Sequence, residues 1–261
     1  MRGILIDLDG VLYQGDEAIP GAAAVLEWLK ESRIPQLFVT NTTSRPRRAI
    51  CKKLASMGIE ADEDRILTPV VAASCWLKRQ VSGPAALFMP SATMEEFENI
   101  PQLPAHQESG AAAVVLGDLG EGWDFPRLNR AFRLLMDSPQ PPLIALGMTR
   151  YWRAEDGLRL DVAPFVKALE HAAACEAIVL GKPSKAFFQE ALKMLGVDAE
   201  DTIMIGDDIC GDVKGAQDAG LRGILVRTGK FLPSDLDGST HPDAVLESIS
   251  DLPAWWEQNS P

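Results

Sequence analysis

The chain has 261 residues, of which 46% are hydrophobic and 24% charged. It contains 25 Lys and Arg and 37 Asp and Glu, which give a formal net charge of −12. This composition excludes a disordered chain, and the negative charge disfavours binding to nucleic acid or to an anionic membrane surface, because like charges repel. The four cysteines and three histidines show no zinc-ligand spacing. No signal-peptide or membrane-spanning run is visible either, so we expect a cytoplasmic protein.

Short apolar runs alternate with helical patterns near both ends of the chain. Continuous runs of this kind are typical of parallel strands covered by helices on both faces, since neither face meets water. They predict core strands at residues 3–8, 36–40, 177–180, 202–205 and 223–226. Helices are predicted after Pro20, near Ser44 and after Pro183, and the last of them ends at Gly196. The alternation predicts an α/β fold with a doubly wound parallel sheet.

The middle of the chain differs, because its predicted strands are separated by loops rich in Pro and Gly. These strands are predicted at residues 85–89, 112–116 and 143–146. The stretch is long enough to form a second α/β domain of ordinary size. We therefore expect a core domain formed by residues 1–81 and 178–261, with residues 82–177 as an inserted domain.

Four groups of polar residues lie at the ends of four of the predicted core strands. The groups are Asp7 and Asp9; Thr40 and Asn41; Lys182; and Asp207, Asp208 and Asp212. Alone, an Asp pair after a strand is more often a turn or a helix cap, and a Lys before Pro is more often a solvated loop residue. The carboxyl ends of parallel strands, however, lie at one edge of a sheet. We therefore expect the four groups to converge on one crevice.

A crevice with several carboxylates needs a compensating cation. Two unit charges about 4 Å apart repel by about 4 kcal/mol at an effective dielectric constant near 20. Oxygen ligands that include few carboxylates suit Mg²⁺, which also shares phosphate oxygens. Lys182, the Thr40 hydroxyl and the backbone N–H of Asn41 are suited to an anion. The sequence therefore predicts a phosphoryl-binding site that contains Mg²⁺.

The segments DLDGVLY, VTNT, GKP and GDD-x3-D resemble the four motifs of the haloacid dehalogenase (HAD) superfamily. The insertion between the second and third motifs resembles the larger α/β cap of its subclass IIA phosphatases. The resemblance covers nearly the whole chain and is weaker in the cap. It implies a Rossmann-like core with an inserted cap domain of the subclass IIA type, a homodimer formed through the cap, and Mg²⁺-dependent hydrolysis of small phosphorylated molecules. The implied substrates are phosphomonoesters, phosphoramidates or pyrophosphate.

The resemblance also implies a role for each polar residue. Asp7 would be the nucleophile that forms an aspartyl phosphate, and Asp9 would protonate the leaving group and then activate water. The phosphoryl group would be bound by Thr40, Asn41 and Lys182. The metal would be held by the Asp7 carboxylate, the Asp9 backbone carbonyl and the Asp207 carboxylate, with Asp208 and Asp212 around them.

Two alternatives stay open on the sequence. One is a phosphomutase or phosphotransferase, which would pass the phosphoryl group to another acceptor. The other is a non-catalytic binding or regulatory protein on the same fold. Asp9 argues against the second alternative, because a protein that only binds has no need of an acid beside the nucleophile. It also argues against dehalogenation, since chloride leaves without a proton.

Overall fold

The structure is a computed structural model that describes residues 2–154 and 156–259. Strands and helices alternate along these residues. The strands are β1 (Gly3–Asp7), β2 (Tyr13–Gln14), β3 (Glu17–Ala18), β4 (Gln36–Val39), β5 (Ile66–Leu67), β6 (Ala85–Phe88), β7 (Ala113–Leu116), β8 (Leu143–Ala145), β9 (Tyr151–Ala154), β10 (Gly157–Leu160), β11 (Ile178–Val179), β12 (Thr202–Gly206), β13 (Arg222–Val226) and β14 (Ala244–Leu246). The α-helices are α1 (Ala22–Glu31), α2 (Arg47–Ser56), α3 (Pro69–Gln80), α4 (Phe125–Leu135), α5 (Ala163–Ala173), α6 (Lys185–Leu195), α7 (Gly215–Asp218) and α8 (Leu252–Asn259). None of the helices in the described ranges has the length and apolarity that crossing a bilayer requires.

The chain divides into two compact units. The first comprises Met1–Thr40, Arg47–Leu67 and Lys182–Pro261, and the second comprises Asn41–Pro46 and Thr68–Gly181. The second unit therefore contains helix α3 in addition to the whole segment expected as an insertion. The domain boundaries after residues 81 and 177 stay a prediction.

The sheet of the first unit has six strands, which all pair in parallel in the order β14-β13-β12-β1-β4-β5. The chain starts in the interior strand β1, winds outward to β5, and later returns to build the other half from β12 to β14. This confirms the predicted doubly wound α/β fold. Ligands of such sheets bind beyond the carboxyl ends of the strands, where the winding direction changes. In this sheet that point lies between β1 and β12.

Burial explains why these segments form strands and helices. All five residues of β1 are buried, which a central strand covered on both faces requires. Helix α1 places its buried residues at helical spacing, so one stripe joins the core cluster that contains Ile4 and Ile6. Helix α6 begins where Ser184 accepts a hydrogen bond from the backbone N–H of Ala186, and it ends at Gly196 with φ 75°. The predicted end at Gly196 is thus confirmed.

The C-terminal helix α8 is fixed to the first unit by Trp256. This side chain is 9% exposed, lies in the core cluster and meets the Trp28 ring edge-on at a centroid distance of 6.3 Å. We expect Trp256→Ala to lower the free energy of unfolding of the first unit by about 3 kcal/mol, because truncating a buried Trp leaves a cavity. Urea unfolding measures this, with the less buried Trp255→Ala as the control. Equal losses in the two variants would contradict the anchoring role.

The second unit has its own parallel sheet, with four strands in the order β11-β8-β7-β6. One prediction is wrong here. The run at residues 177–180, expected as a core strand, forms β11, and β11 pairs with β8 in this second sheet. An apolar run reports that a strand is buried, but it does not specify the partner strand. The hairpin of β9 and β10 belongs to the same unit and carries exposed side chains.

Candidate active site

The carboxyl-end edge of the first unit's sheet carries the predicted acidic residues. Asp7 is the last residue of β1, and it is level with Val39 of the neighbouring strand β4. Asp207 directly follows β12, the other neighbour of β1. Parallel pairing of the strands therefore brings residues 200 positions apart to one edge.

Three buried carboxylates meet at this edge. One oxygen each of Asp7, Asp207 and Asp212 lies within 4.8 Å of the other two. The exposed fractions of the three residues are 6%, 1% and 0%. Carboxylates almost never occupy such positions unless a cation is paired with them.

Lys182 supplies part of the compensating charge. Its Nζ lies 2.8 Å from Oδ1 of Asp7 and 2.6 Å from Oδ1 of Asp212, so one ammonium bridges two of the carboxylates. Burial lowers the pKa of Lys182, but the charges of Asp212 and Asp7 outweigh burial and hold that pKa above its ordinary value. Lys182 is therefore a permanent cation at neutral pH.

The carboxylates are costly to ionise because they are buried. Burial raises the pKa of Asp7, and the charge of Asp207 adds to the increase while the Lys182 ammonium opposes it. Burial likewise raises the pKa of Asp212 to about 6, again against the effect of Lys182. The pKa of Asp207 is raised by burial too. Further positive charge at this edge would favour the ionised form of all three groups.

The donor set fits a divalent cation. When ionised, the three carboxylates of the cluster face one ammonium, which leaves two negative charges uncompensated. Moreover, Oδ1 of Asp207 is buried and has no hydrogen-bond donor among the described residues, a situation that a bound ion would resolve. Carboxylate oxygens are ligands that Mg²⁺ prefers. Asp7, Asp207 and Asp212 are thus the residues that could hold the ion.

Asp208 shapes the turn that carries Asp212. Its Oδ1 accepts hydrogen bonds from the backbone N–H groups of Cys210 (2.9 Å) and Gly211 (2.7 Å), which caps the following helical turn. Its own backbone N–H donates to Oδ2 of Asp212 at 3.2 Å. A Cβ at Gly206 would overlap the Asp212 carboxylate, so glycine is needed there for the close approach.

The remaining predicted residues occupy different surroundings. Asp9 lies two residues after β1 with an exposed side chain, and its backbone bridges to Tyr13. Thr40 directly follows β4, is 6% exposed, and donates its backbone N–H to the carbonyl of Leu67 at 3.1 Å. Asn41 is exposed and belongs to the second unit. The structure thus brings Asp7, Asp207 and Asp212 within 4.8 Å of one another, with Lys182 in contact with Asp7 and Asp212. The roles of these residues, like those of Asp9, Thr40 and Asn41, stay predictions.

Three further residues contact this site and were not among those predicted from the sequence. Thr228, Gly229 and Lys230 follow strand β13, at the same edge of the sheet. The backbone N–H of Lys230 donates to Oδ2 of Asp207 at 2.7 Å, and the Thr228 hydroxyl donates to the Gly10 carbonyl. A signal was available, because a Thr-Gly pair after a predicted core strand satisfies the strand-end rule applied to the other four groups.

Comparison with protein families gives two matches. The model of haloacid dehalogenase-like hydrolases matches residues 4–100, and a HAD-hydrolase-like model matches residues 179–252. The matched segments contain Asp7 and Thr40 in the first case and Lys182, Asp207 and Asp212 in the second.

Several known proteins are similar over nearly the whole chain. The chain is 41% identical to phospholysine phosphohistidine inorganic pyrophosphate phosphatase of Bos taurus, over 96% of this chain and 91% of that protein. It is also 41% identical to haloacid dehalogenase-like hydrolase domain-containing protein 2 of Homo sapiens, over 90% of this chain and 87% of that protein. Among solved structures, the 4-nitrophenylphosphatase of Thermotoga maritima superposes with a TM-score of 0.83 at 28% identity, covering 97% of this chain and 96% of that one.

Proposed function

The chain belongs to the haloacid dehalogenase-like hydrolases, and on that premise we propose that it is a Mg²⁺-dependent phosphatase that acts through an aspartyl phosphate at Asp7. Phosphatase activity agrees with the names of the similar proteins, since the Bos taurus relative and the Thermotoga maritima neighbour are both named as phosphatases. The observation that carries the finer proposal is the buried contact of Asp7 and Asp212 with Lys182, beside Asp207.

Asp7 is the proposed nucleophile. A carboxylate oxygen attacks phosphorus, a new O–P bond forms to Asp7, and the bond from phosphorus to the leaving-group oxygen or nitrogen breaks. The Lys182 ammonium favours the ionised form of Asp7 against the effect of burial, and it is proposed to contact the negatively charged phosphoryl oxygens. Phosphoryl transfer depends mostly on positioning and on charge stabilisation, so few residues suffice.

Asp9 is the proposed acid and base. It donates a proton to the departing oxygen or nitrogen, and it then takes a proton from the water that attacks the aspartyl phosphate. Its exposed side chain is open to the exchange of water and leaving group. The second step releases phosphate and restores the carboxylate of Asp7, so each turnover consumes one water molecule.

Asp7, the Asp9 backbone carbonyl and Asp207 are proposed to hold Mg²⁺, with Asp212 adjacent. When bound, the ion supplies positive charge that stabilises the transferring phosphoryl oxygens and the ionised carboxylates. Thr40 and Asn41 are proposed to donate hydrogen bonds to the phosphoryl group, and Asp208 supports the turn that carries Asp212.

The proposed substrates are small phosphomonoesters, phosphoramidates or pyrophosphate. The name of the 41% identical Bos taurus protein includes phospholysine, phosphohistidine and inorganic pyrophosphate, and the Thermotoga maritima neighbour is named a 4-nitrophenylphosphatase. All of these compounds present a terminal phosphoryl group to the same arrangement of residues. The cytoplasmic location stays a prediction.

Turnover of 4-nitrophenyl phosphate tests the proposal directly. We expect hydrolysis with added Mg²⁺, loss of activity in excess EDTA, and full recovery when Mg²⁺ is restored, because uncompensated carboxylates repel the anionic substrate. Release of nitrophenolate and of inorganic phosphate is measured in parallel. Equal amounts indicate hydrolysis, whereas nitrophenolate without phosphate, dependent on an added acceptor, indicates phosphoryl transfer. If the protein cleaved none of the proposed classes of substrate, the remaining alternative would be a non-catalytic binding or regulatory protein.

A homodimer formed through the cap is also proposed. The hairpin of β9 and β10 exposes large apolar side chains, since Leu158 is 63% exposed, Leu160 59% and Tyr151 52%. Several exposed apolar side chains on one element are typical of protein–protein contact surfaces. The hairpin is therefore the proposed contact surface.

Sedimentation velocity tests the dimer. We expect the wild-type protein to sediment as a dimer at micromolar concentration and the double variant Leu158→Glu/Leu160→Glu as a monomer, because buried charges oppose association. Leu232→Glu is the matched control, since this Leu is 58% exposed but lies in the first unit. A wild-type monomer, or dissociation caused equally by the control, would reject this surface.

A further inference from the structure

The loop after β13 contacts two parts of the candidate site at once. It consists of Thr228, Gly229 and Lys230. We propose that these residues position the turn at Gly10 and the carboxylate of Asp207, so that the metal ligands of two strand ends keep a fixed spacing. The inference rests on the proposed function, and it adds positioning residues that touch neither the substrate nor the metal.

Thr228 fixes the turn that follows the proposed nucleophile. Its hydroxyl donates to the carbonyl of Gly10, 218 residues away in the chain. On its other side, Gly10 donates its backbone N–H to the carbonyl of Tyr13 at 2.7 Å. Because the peptide group is planar and trans, the Asp9 carbonyl lies in the plane of the Gly10 N–H and points the opposite way. Anchoring both peptide groups of Gly10 therefore sets the direction of the Asp9 carbonyl, a proposed metal ligand.

Lys230 fixes the carboxylate on the neighbouring strand end. Its backbone N–H donates to Oδ2 of Asp207 at 2.7 Å, while Oδ1 is buried without a donor among the described residues. A backbone donor cannot rotate away as a side chain can, so it holds the plane of the carboxylate. One oxygen of Asp207 is thereby engaged, and the other is left for a metal.

Gly229 allows the loop to approach both groups. Its φ is +65°, in the left-handed region that favours glycine. A Cβ built on it would overlap the carboxylate of Asp207 and would lie 2.5 Å from Cα of Gly10. The loop thus lies directly against both strand-end turns, and its hydrogen bonds link them to each other. In metal sites, losing such a supporting partner typically weakens metal binding or activity about 10–100-fold.

Metal binding by hydroxyl-deletion variants tests the inference. Mn²⁺ alone serves as the probe, because it accepts the same oxygen ligands as Mg²⁺ and its free form is counted by electron paramagnetic resonance. We expect Thr228→Val to weaken Mn²⁺ binding about 10–100-fold and Thr228→Ser, which retains the hydroxyl, to recover most of the loss. Thr228→Ala is the second variant, in case valine disturbs folding. The half-saturating Mg²⁺ concentration for 4-nitrophenyl phosphate turnover should rise in parallel.

Thr202→Val is the matched control. Thr202 is fully buried at the start of β12, at the opposite end of the strand from Asp207, and its hydroxyl donates to the Asp198 carbonyl at 2.8 Å. The same chemical change there should cost stability without changing Mn²⁺ affinity. Wild-type affinity in folded Thr228→Val, or an equal loss in Thr202→Val, would overturn the inference while leaving an active wild-type enzyme in place. A wild-type protein that binds no Mn²⁺ and cleaves no phosphate compound would overturn the proposed function, and the inference with it.

Discussion

Asp7→Asn is expected to reduce the kcat of phosphate hydrolysis by about 10⁴-fold or more, because the amide cannot serve as the attacking carboxylate. The fold should survive. Asp7 is 6% exposed, and burial raises its pKa, so a neutral isostere removes a charge that is costly to bury. Lys182 keeps its contact with Asp212 in the variant. We therefore expect loss of activity without loss of thermal stability.

The matched control for this variant is Asp218→Asn. Asp218 pairs with Lys214 at the surface of the same unit, where the side chains are 48% and 51% exposed. An exposed ion pair contributes at most about 1 kcal/mol, so the control should retain wild-type kcat and nearly wild-type stability. If Asp7→Asn, free of wild-type contamination, kept more than a few per cent of wild-type turnover, Asp7 would not be the nucleophile.

Lys182→Met is expected to lower both stability and activity. The side chain of Lys182 is 5% exposed and bridges Asp7 and Asp212. Removing one partner of a buried ion pair costs about 3–5 kcal/mol, since the remaining charges stay buried without compensation. Methionine has a similar length but no charge, so the loss of stability and activity measures the contribution of the Lys182 ammonium. Urea unfolding measures the stability, and turnover of 4-nitrophenyl phosphate measures the activity.

Two further variants separate folding from function at this position. Lys214→Met removes a half-exposed lysine that is paired at the surface, and we expect it to change stability by less than about 1 kcal/mol. The double variant Lys182→Met/Asp212→Asn removes one of the two carboxylates that would lose their cation. It should recover part of the stability while remaining inactive. If Lys182→Met were as stable and as active as the wild type, the bridging role would be wrong.

Burial patterns explain how much of the fold was predictable. Strands β1, β4, β12 and β13 were located to within about one residue, because each contains a continuous buried run of at least three residues in the interior of the sheet. The partner of β11 was not predictable, since its apolar run carries no information about which sheet it joins. Strands β5 and β14 have two and three residues, too few to produce a recognisable pattern.

The candidate site, like the fold, has residues that could be predicted from the sequence and residues that could not. Asp7, Asp207 and Asp212 were predicted to converge because carboxylates near the ends of core strands are visible in the sequence, and the structure places one oxygen of each within 4.8 Å of the other two. Lys182 was expected to follow a core strand, but the strand before it joins the second sheet, and the lysine still contacts Asp7 and Asp212. The loop of Thr228 to Lys230 was missed because it acts through a backbone N–H, a hydroxyl and a missing Cβ. Such contacts depend on how two distant turns approach each other, and residue type alone does not report that.

Chemical trapping of the covalent intermediate tests the central claim most directly. Protein mixed with substrate and Mg²⁺ is quenched in acid within the turnover time, and borohydride then reduces any aspartyl phosphate to homoserine, which peptide mass spectrometry locates. We expect homoserine at residue 7 in the wild-type protein, none in Asp7→Asn, and none without substrate. Rapid turnover with an unmodified residue 7, or homoserine at another aspartate, would contradict attack by Asp7 on phosphorus.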